Sequence, residues 1–344
     1  MTNNKNIWPK QISVDKRIVK ILSQSTYENL PGALKEIITN GYDADATKIN
    51  TSVDIENEII EIVDNGNGMT EQEFDYLIKI AGRKRQKGTK TKSGRSLIGQ
   101  FGVGFMSSFP FFDTYNIETS SAGTENVVYA SIPCYEYFND ERYIDIGEID
   151  IRGRTLREPS KKSKHYTKII LKGFTHLSKA FFSPAKAHGK MKYSIQSESG
   201  IEKLRWGLSE DLPLKYEDPR FNVLTRRYSP NLPFRVFINQ EELKRKTHGR
   251  IILEANGEEL EFSNNQYSEK ELELSGKEII TIGRVKFQYF ILTDKKSIRP
   301  YEARFLKRRN LDAGVGRRER FGIGTQRGGS RSRLHWLTGE VHFI

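Results

Sequence analysis

Three short stretches carry residues able to do chemistry. In ALKEIITNGYDA (Ala33–Ala44), Glu36, Asn40 and Asp43 stand at i, i+4 and i+7. A helix aligns these three on one face while Leu34, Ile37 and Ile38 point elsewhere, so a polar stripe faces a site or solvent and an apolar one faces a core. In DNGNGM (Asp64–Met69), a carboxylate ends a strand-like run and is followed by Gly66 and Gly68. Two glycines there allow φ > 0 and close approach by a ligand, and the carboxylate can accept a hydrogen bond from an amino group. In IGQFGVGF (Ile98–Phe105), Gly99, Gly102 and Gly104 surround Gln100, Phe101 and Val103. A glycine-rich turn leading into a helix presents backbone N–H groups and a positive dipole end to phosphate oxygens.

The elements that position these stretches follow from periodicity. Asp15–Ser23 has helical spacing through Ile18, Ile21 and Leu22, ahead of the Ala33–Ala44 helix. Strand-like runs cover Lys48–Glu56, Glu58–Asp64, Thr114–Ser120, Asn126–Ile132, Tyr143–Ile149 and Tyr166–Lys172. Helices fall between the second and third of them, which predicts a mixed, largely antiparallel sheet with helices on one face. Beyond residue 180, Ile201–Leu208 is helical in pattern. Strands then follow from Phe234: FRVFIN, RIILEA, a hairpin turn at Asn256-Gly257, ELEF and EIITIGRVKFQYFIL. The chain is α+β.

Composition narrows the function classes. With 344 residues the chain holds two or three domains. Its single cysteine, Cys134, excludes an intramolecular disulfide framework and fits a reducing cytoplasm. No run approaches the length of a membrane span and the start lacks a signal core, so a cytoplasmic protein without membrane contact is expected. The net charge of +12 suits an anionic partner such as nucleic acid, or an ordinary solvated surface. Arg83–Arg95 holds seven basic residues and no acidic one, and Arg304–Arg333 holds ten against Asp312 and Glu319.

Taken together, the three stretches resemble the GHKL ATPases, the superfamily of gyrase B subunits, heat-shock-protein-ninety chaperones, histidine kinases, MutL and MORC proteins. E-x-x-x-N-x-x-D-A is present as Glu36, Asn40, Asp43 and Ala44; D-x-G-x-G as Asp64, Gly66 and Gly68; G-x-x-G-x-G as Gly99, Gly102 and Gly104. The likeness covers about the first 180 residues. It implies a Bergerat-type α/β sandwich over 1–180 with an ATP lid at about 82–98, followed by a transducer-like α+β domain over 181–344 that is incomplete at its C-terminus. ATP and Mg²⁺ are the implied cofactors. Glu36 is implied as the general base for the attacking water, Asn40 as the magnesium ligand, and Asp43 as a pocket support. Asp64 would read the adenine amino group, with Gly68 and Met69 lining the base pocket and Thr167 behind it. Gln100, Phe101, Gly102, Val103, Gly104 and Phe105 would wrap the phosphates, and Lys84 or Lys87 of the lid would reach the terminal one.

The first histidine is His165, which argues against a histidine kinase. The motifs look most like the heat-shock-protein-ninety and MORC branches. Basic charge tilts the expectation towards a MORC-like ATPase acting on DNA in a bacterial antiviral defence or genome-maintenance system, as a homodimeric clamp closed by ATP. A chaperone acting on a partner protein and a non-hydrolysing nucleotide switch are the alternatives. For Arg304–Arg333 three roles stay open: a phosphate-contacting loop, a nucleic-acid track, or a solvated loop.

Overall fold

The computed structural model describes residues 29–78, 89–99, 104–134, 151–158, 164–183, 193–222, 233–249, 251–255, 258–259, 280–282, 285–293, 298–310, 313–319 and 337–343. The expected helix at Asp15–Ser23, the strand at Tyr143–Ile149 and the turn at Asn256-Gly257 lie outside them, as do Lys84, Lys87, Gln100, Phe101, Gly102 and Val103.

Helix α1 (Leu30–Asp43) starts where the Asn29 side chain accepts the Gly32 N–H at 2.9 Å, with Pro31 in its first turn. Leu30, Leu34, Ile37, Ile38 and Tyr42 are all buried. Each such side chain contributes about 1.5–3 kcal/mol by leaving water. Strands β1 (Lys48–Asp54) and β2 (Ile59–Asp64) form an antiparallel pair. The strict alternation of burial along β1 places one face of the sheet against the helices and the other in solvent. Helix α2 (Glu71–Ile78) opens with a capping box: Glu73 N–H donates to the Thr70 hydroxyl while the Glu73 carboxylate accepts the Thr70 N–H.

A 3₁₀ segment, Gly104–Phe111, follows the third glycine stretch where an α-helix was expected; Pro110 inside it is incompatible with a longer α-helix. Its Ser107 hydroxyl donates to Ala33 O at 2.9 Å, fastening it to α1. Next come β3 (Phe112–Ser120), β4 (Asn126–Pro133), β5 (Arg152–Arg157), β6 (Tyr166–Phe174), helix α3 (His176–Phe182) and helix α4 (Gly200–Asp211). Strand β7 (Arg235–Ile238) pairs parallel with β1, and β8 (Glu241–Leu243) closes the edge. The first sheet therefore has eight strands in the order β5-β4-β3-β6-β2-β1-β7-β8, drawn from both sides of residue 180. It is antiparallel except at β1–β7. This is the α+β arrangement expected of a Bergerat sandwich.

The second sheet contains β9 (Ile251–Ala255), β10 (Glu258–Glu259), β11 (Ile280–Ile282), β12 (Val285–Thr293), β13 (Phe305–Asn310), β14 (Ala313–Glu319) and β15 (Leu337–Phe343). Its order is β10-β9-β12-β15-β13-β14, with β11 paired to β12. Among the described residues this sheet carries no α-helix of its own: the expected helix at Ile201–Leu208 is α4, which packs on α1.

Candidate functional site

Helix α1 carries the first motif and touches the other two. At its middle, Glu36 faces Gly104: an added Cβ at Gly104 would sit 2.9 Å from Glu36 Oε2. One turn on, Gly41 lies over the end of β2, where an added Cβ would be 3.2 Å from the Asp64 Cβ. At its end, Asp43 accepts Ile98 N–H at 2.9 Å and Gly99 N–H at 3.0 Å. Gly104 and Gly41 are thus glycines for close approach rather than for backbone freedom.

The two carboxylates of interest differ in surroundings. Glu36 is partly open, and its burial pushes its pKa above the ordinary value; Lys35, 3.7 Å away, acts the other way, while Asp43 and Asp211 add to the rise. Asp64 is buried, and desolvation pushes it up to about 6 against hydrogen bonds from Gly66 and Thr167. Gly66 N–H donates to Asp64 Oδ1 at 2.8 Å, so the turn after β2 folds back on its own carboxylate. Gly68 has φ of 65° and lies so close to the Ser120 carbonyl that no side chain fits. Asn67 N–H donates to Ala44 O at 2.8 Å and His165 Nδ1 lies 2.6 Å from Gly66 O. The turn is pinned to α1 on one side and to the start of β6 on the other.

Behind Asp64 runs a row of hydroxyls. Asp64 pairs in register with Thr167 of β6, which pairs with Thr119 of β3. The two threonine hydroxyls are 3.1 Å apart, and Thr119 also accepts Met69 N–H at 2.9 Å. Thr119 was not singled out from the sequence, since a threonine in a strand is ordinary; the row is visible only once β2, β6 and β3 are adjacent.

Arg95 was also missed, as one more cation in the basic run Arg83–Arg95. It is fully buried. Its Nη1 donates to Tyr42 O at 3.0 Å and Ala46 O at 2.7 Å, and its Nη2 to Pro233 O at 2.7 Å. The guanidinium also lies over the rings of Tyr42 and Phe234. The partial negative charge at the C-terminus of α1 favours a cation there. The C-terminal foot of the expected lid is therefore fixed to α1.

Of the anticipated site residues, Glu36, Asp43, Ala44, Asp64, Gly66, Gly68, Met69, Gly99, Gly104 and Thr167 all join these contacts around α1, and Phe105 packs in the core beside them. Asn40 lies on the same α1 face as Glu36.

Residues 27–167 match the family model described as "Histidine kinase-, DNA gyrase B-, and HSP90-like ATPase". The region is a GHKL domain. Chaperone proteins HtpG are similar to it: that of Fusobacterium nucleatum is 34% identical over 137 residues, covering 33% of this chain and 23% of its own length. The Clostridium botulinum strain Hall protein is 30% identical over 179 residues, covering 46% of this chain and 26% of its own. The matches place the GHKL domain in the heat-shock-protein-ninety-like branch and span about a quarter of the relatives' length. Among the described residues no helix is long and apolar enough to cross a membrane.

The residues present fit a nucleotide. A buried carboxylate that carries no cation partner in its own turn, a glycine turn too tight for side chains, and a partly open carboxylate facing a second glycine suit a base at one end and phosphates at the other. No group of three or more His, Cys, Asp or Glu among the described residues could hold a metal alone.

Proposed function

We propose that the protein is a magnesium-dependent ATPase in which α1 organises the whole site. The observation that supports this most is that the helix carrying the first motif contacts the other two, at Gly41 for the second and at Glu36 and Asp43 for the third. Asp64 accepts the adenine amino group, with Gly66, Gly68 and Met69 lining the base and Thr167 and Thr119 backing it. Gly99, Gln100, Phe101, Gly102, Val103, Gly104 and Phe105 cradle the phosphates, and a lid lysine, Lys84 or Lys87, meets the terminal one. Asn40 would hold Mg²⁺, which when bound neutralises phosphate charge. Glu36, with its pKa raised by burial, takes a proton from the attacking water.

In this proposal ATP closes the lid and pairs two N-terminal domains. Similarity to HtpG chaperones supports a protein client, while the net charge of +12 supports DNA. Binding that falls steeply with salt and changes with ATP distinguishes the DNA partner. For the catalytic assignment, ATP turnover and binding are compared in the parent chain and Glu36→Ala. Loss of about 10²- to 10⁴-fold in turnover with binding kept is expected. Parent-like turnover by Glu36→Ala removes Glu36 as the base.

A further inference from the structure

Helix α4 is gripped from two sides. Towards α1 the crossing is close: an added Cβ at Gly207 would lie 2.5 Å from the Pro31 Cβ. Leu204 and Leu208 are fully buried, Lys203 Nζ donates to Ser183 O at 3.1 Å and Arg205 Nη1 to Ile238 O at 3.2 Å. The body of α4 thus belongs with the first sheet and the site helix. Its last turn belongs with the second sheet. Glu210 receives Arg318 through two bonds, at 2.9 and 3.1 Å, and Asp211 receives Lys307 Nζ at 2.7 Å. Gly314 of β14 sits against this pair, an added Cβ there being 2.7 Å from both Asp211 Oδ1 and Lys307 Cε. His248, its ring 4.6 Å from that of Trp206, brings Nε2 to 3.5 Å from Glu210; burial lowers its pKa, so it adds no charge at neutral pH.

The placement is unfavourable for an isolated helix. A helix C-terminus carries partial negative charge, and two acidic side chains with no basic residue in the last turn add to it. Cations from β13 and β14 remove that cost only when the second sheet is docked. The same Asp211 bears electrostatically on Glu36.

We propose that Asp211 and Glu210, clasped by Lys307 and Arg318, are positioning residues: the clasp ties the last turn of α4, whose body packs on α1, to β13 and β14, and so makes the placement of Glu36 depend on docking of the second sheet. This rests on Glu36 acting as the base proposed above. Turnover then responds to the clasp more strongly than nucleotide affinity, since Asp64 sits in β2 between β1 and β6 and its turn is pinned to β6 as well as to α1.

The test compares the parent, Lys307→Met, Lys307→Arg, and Asp211→Asn combined with Lys307→Met. Lys307→Met is expected to lower kcat by about ten- to 100-fold through misplacement of the base, with KM and nucleotide Kd little changed. Lys307→Arg restores most of the rate. The double variant removes the unpaired, partly exposed charge of Asp211 and so recovers the melting temperature, but not kcat. Hydrogen exchange across α1, which needs no turnover, is expected to quicken at Glu36–Asp43 in Lys307→Met and in the double variant. The proposal is overturned if α1 exchange is unchanged, if Lys307→Met loses ATP affinity in step with rate, or if the double variant regains turnover together with its melting temperature. A parent-like rate in Glu36→Ala is a different failure, that of the base assignment, and leaves the exchange result to judge the clasp.

Discussion

Asp64 and Glu340 are both buried carboxylates at strand positions, yet their surroundings drive them in opposite directions. Burial raises Asp64 to about 6, because its partners are backbone N–H groups. Burial also acts on Glu340, but Arg309, His342 and Arg245 outweigh it and hold the carboxyl well below the usual range. Arg309 Nη2 donates to Glu340 Oε1 at 2.8 Å and Nε to Oε2, while the Tyr216 hydroxyl donates to Oε2 at 2.6 Å. Glu340 is answered from within the chain. Asp64 keeps a shortage that a ligand's amino group can relieve.

Breaking Glu340 should have the largest effect. Glu340→Ala leaves Arg309 and Arg245 as buried cations without their carboxylate, and a loss of about 3–5 kcal/mol in urea unfolding is expected. Because its pKa is depressed, Glu340 contributes stability above its unfolded value near 4.5 that is lost as pH falls below it. An unfolding free energy unchanged by the substitution would deny that this cluster holds the second sheet.

Asp64→Asn sharpens the contrast, since it should cost affinity rather than stability. ATP binding is expected to weaken by about 1.5–3 kcal/mol, the worth of a hydrogen bond to a charged group, as read by calorimetry. The sign of its pH linkage is reversed relative to Glu340: with the folded pKa raised, ionising Asp64 disfavours the fold as pH rises from about 4 to about 6. Below about 6 the carboxyl is protonated and ATP affinity should fall, and this slope should vanish in Asp64→Asn. An equal slope in both proteins would place the titration on the nucleotide.

Thr119→Val should give the smallest change, about 1 kcal/mol in stability, because it strips the Met69 N–H and the Thr167 hydroxyl of a partner without opening a cavity. Its effect on binding should be smaller than that of Asp64→Asn; a larger one would move the base-reading role along the row from Asp64.

Much of the site was legible because its residues are local. Glu36, Asn40 and Asp43 lie within one helix, and Asp64, Gly66 and Gly68 within one turn, so spacing alone aligns them. What stayed hidden depends on segments far apart in the chain. Arg95 owes its burial partly to Pro233 and Phe234, and a lone arginine in a basic run gives no sign of that. Strand β5, RGRTLR, is exposed along its whole length and so lacks the alternation that marks a strand. In Arg304–Arg333, Lys307, Arg309 and Arg318 take none of the three anticipated roles in this structure: each is bound to an internal carboxylate, Asp211, Glu340 and Glu210 respectively. Charge on a strand looks like a solvated face until its partner on another element is known.

The parallel pairing of β1 with β7 bears on how the protein is made. Val53 N–H donates to Asn239 Oδ1 at 2.8 Å across a separation of 186 residues. At typical synthesis rates of 5–20 residues per second, the partner of β1 leaves the ribosome roughly 10–40 s after β1 itself. The β1–β2 hairpin is local and can form at once, but its outer edge stays bare for that interval, a template for pairing with other nascent chains. The nascent chain is therefore most vulnerable to aggregation before residue 239 emerges, when the pocket residues have all been synthesised and the sheet beneath them is still open.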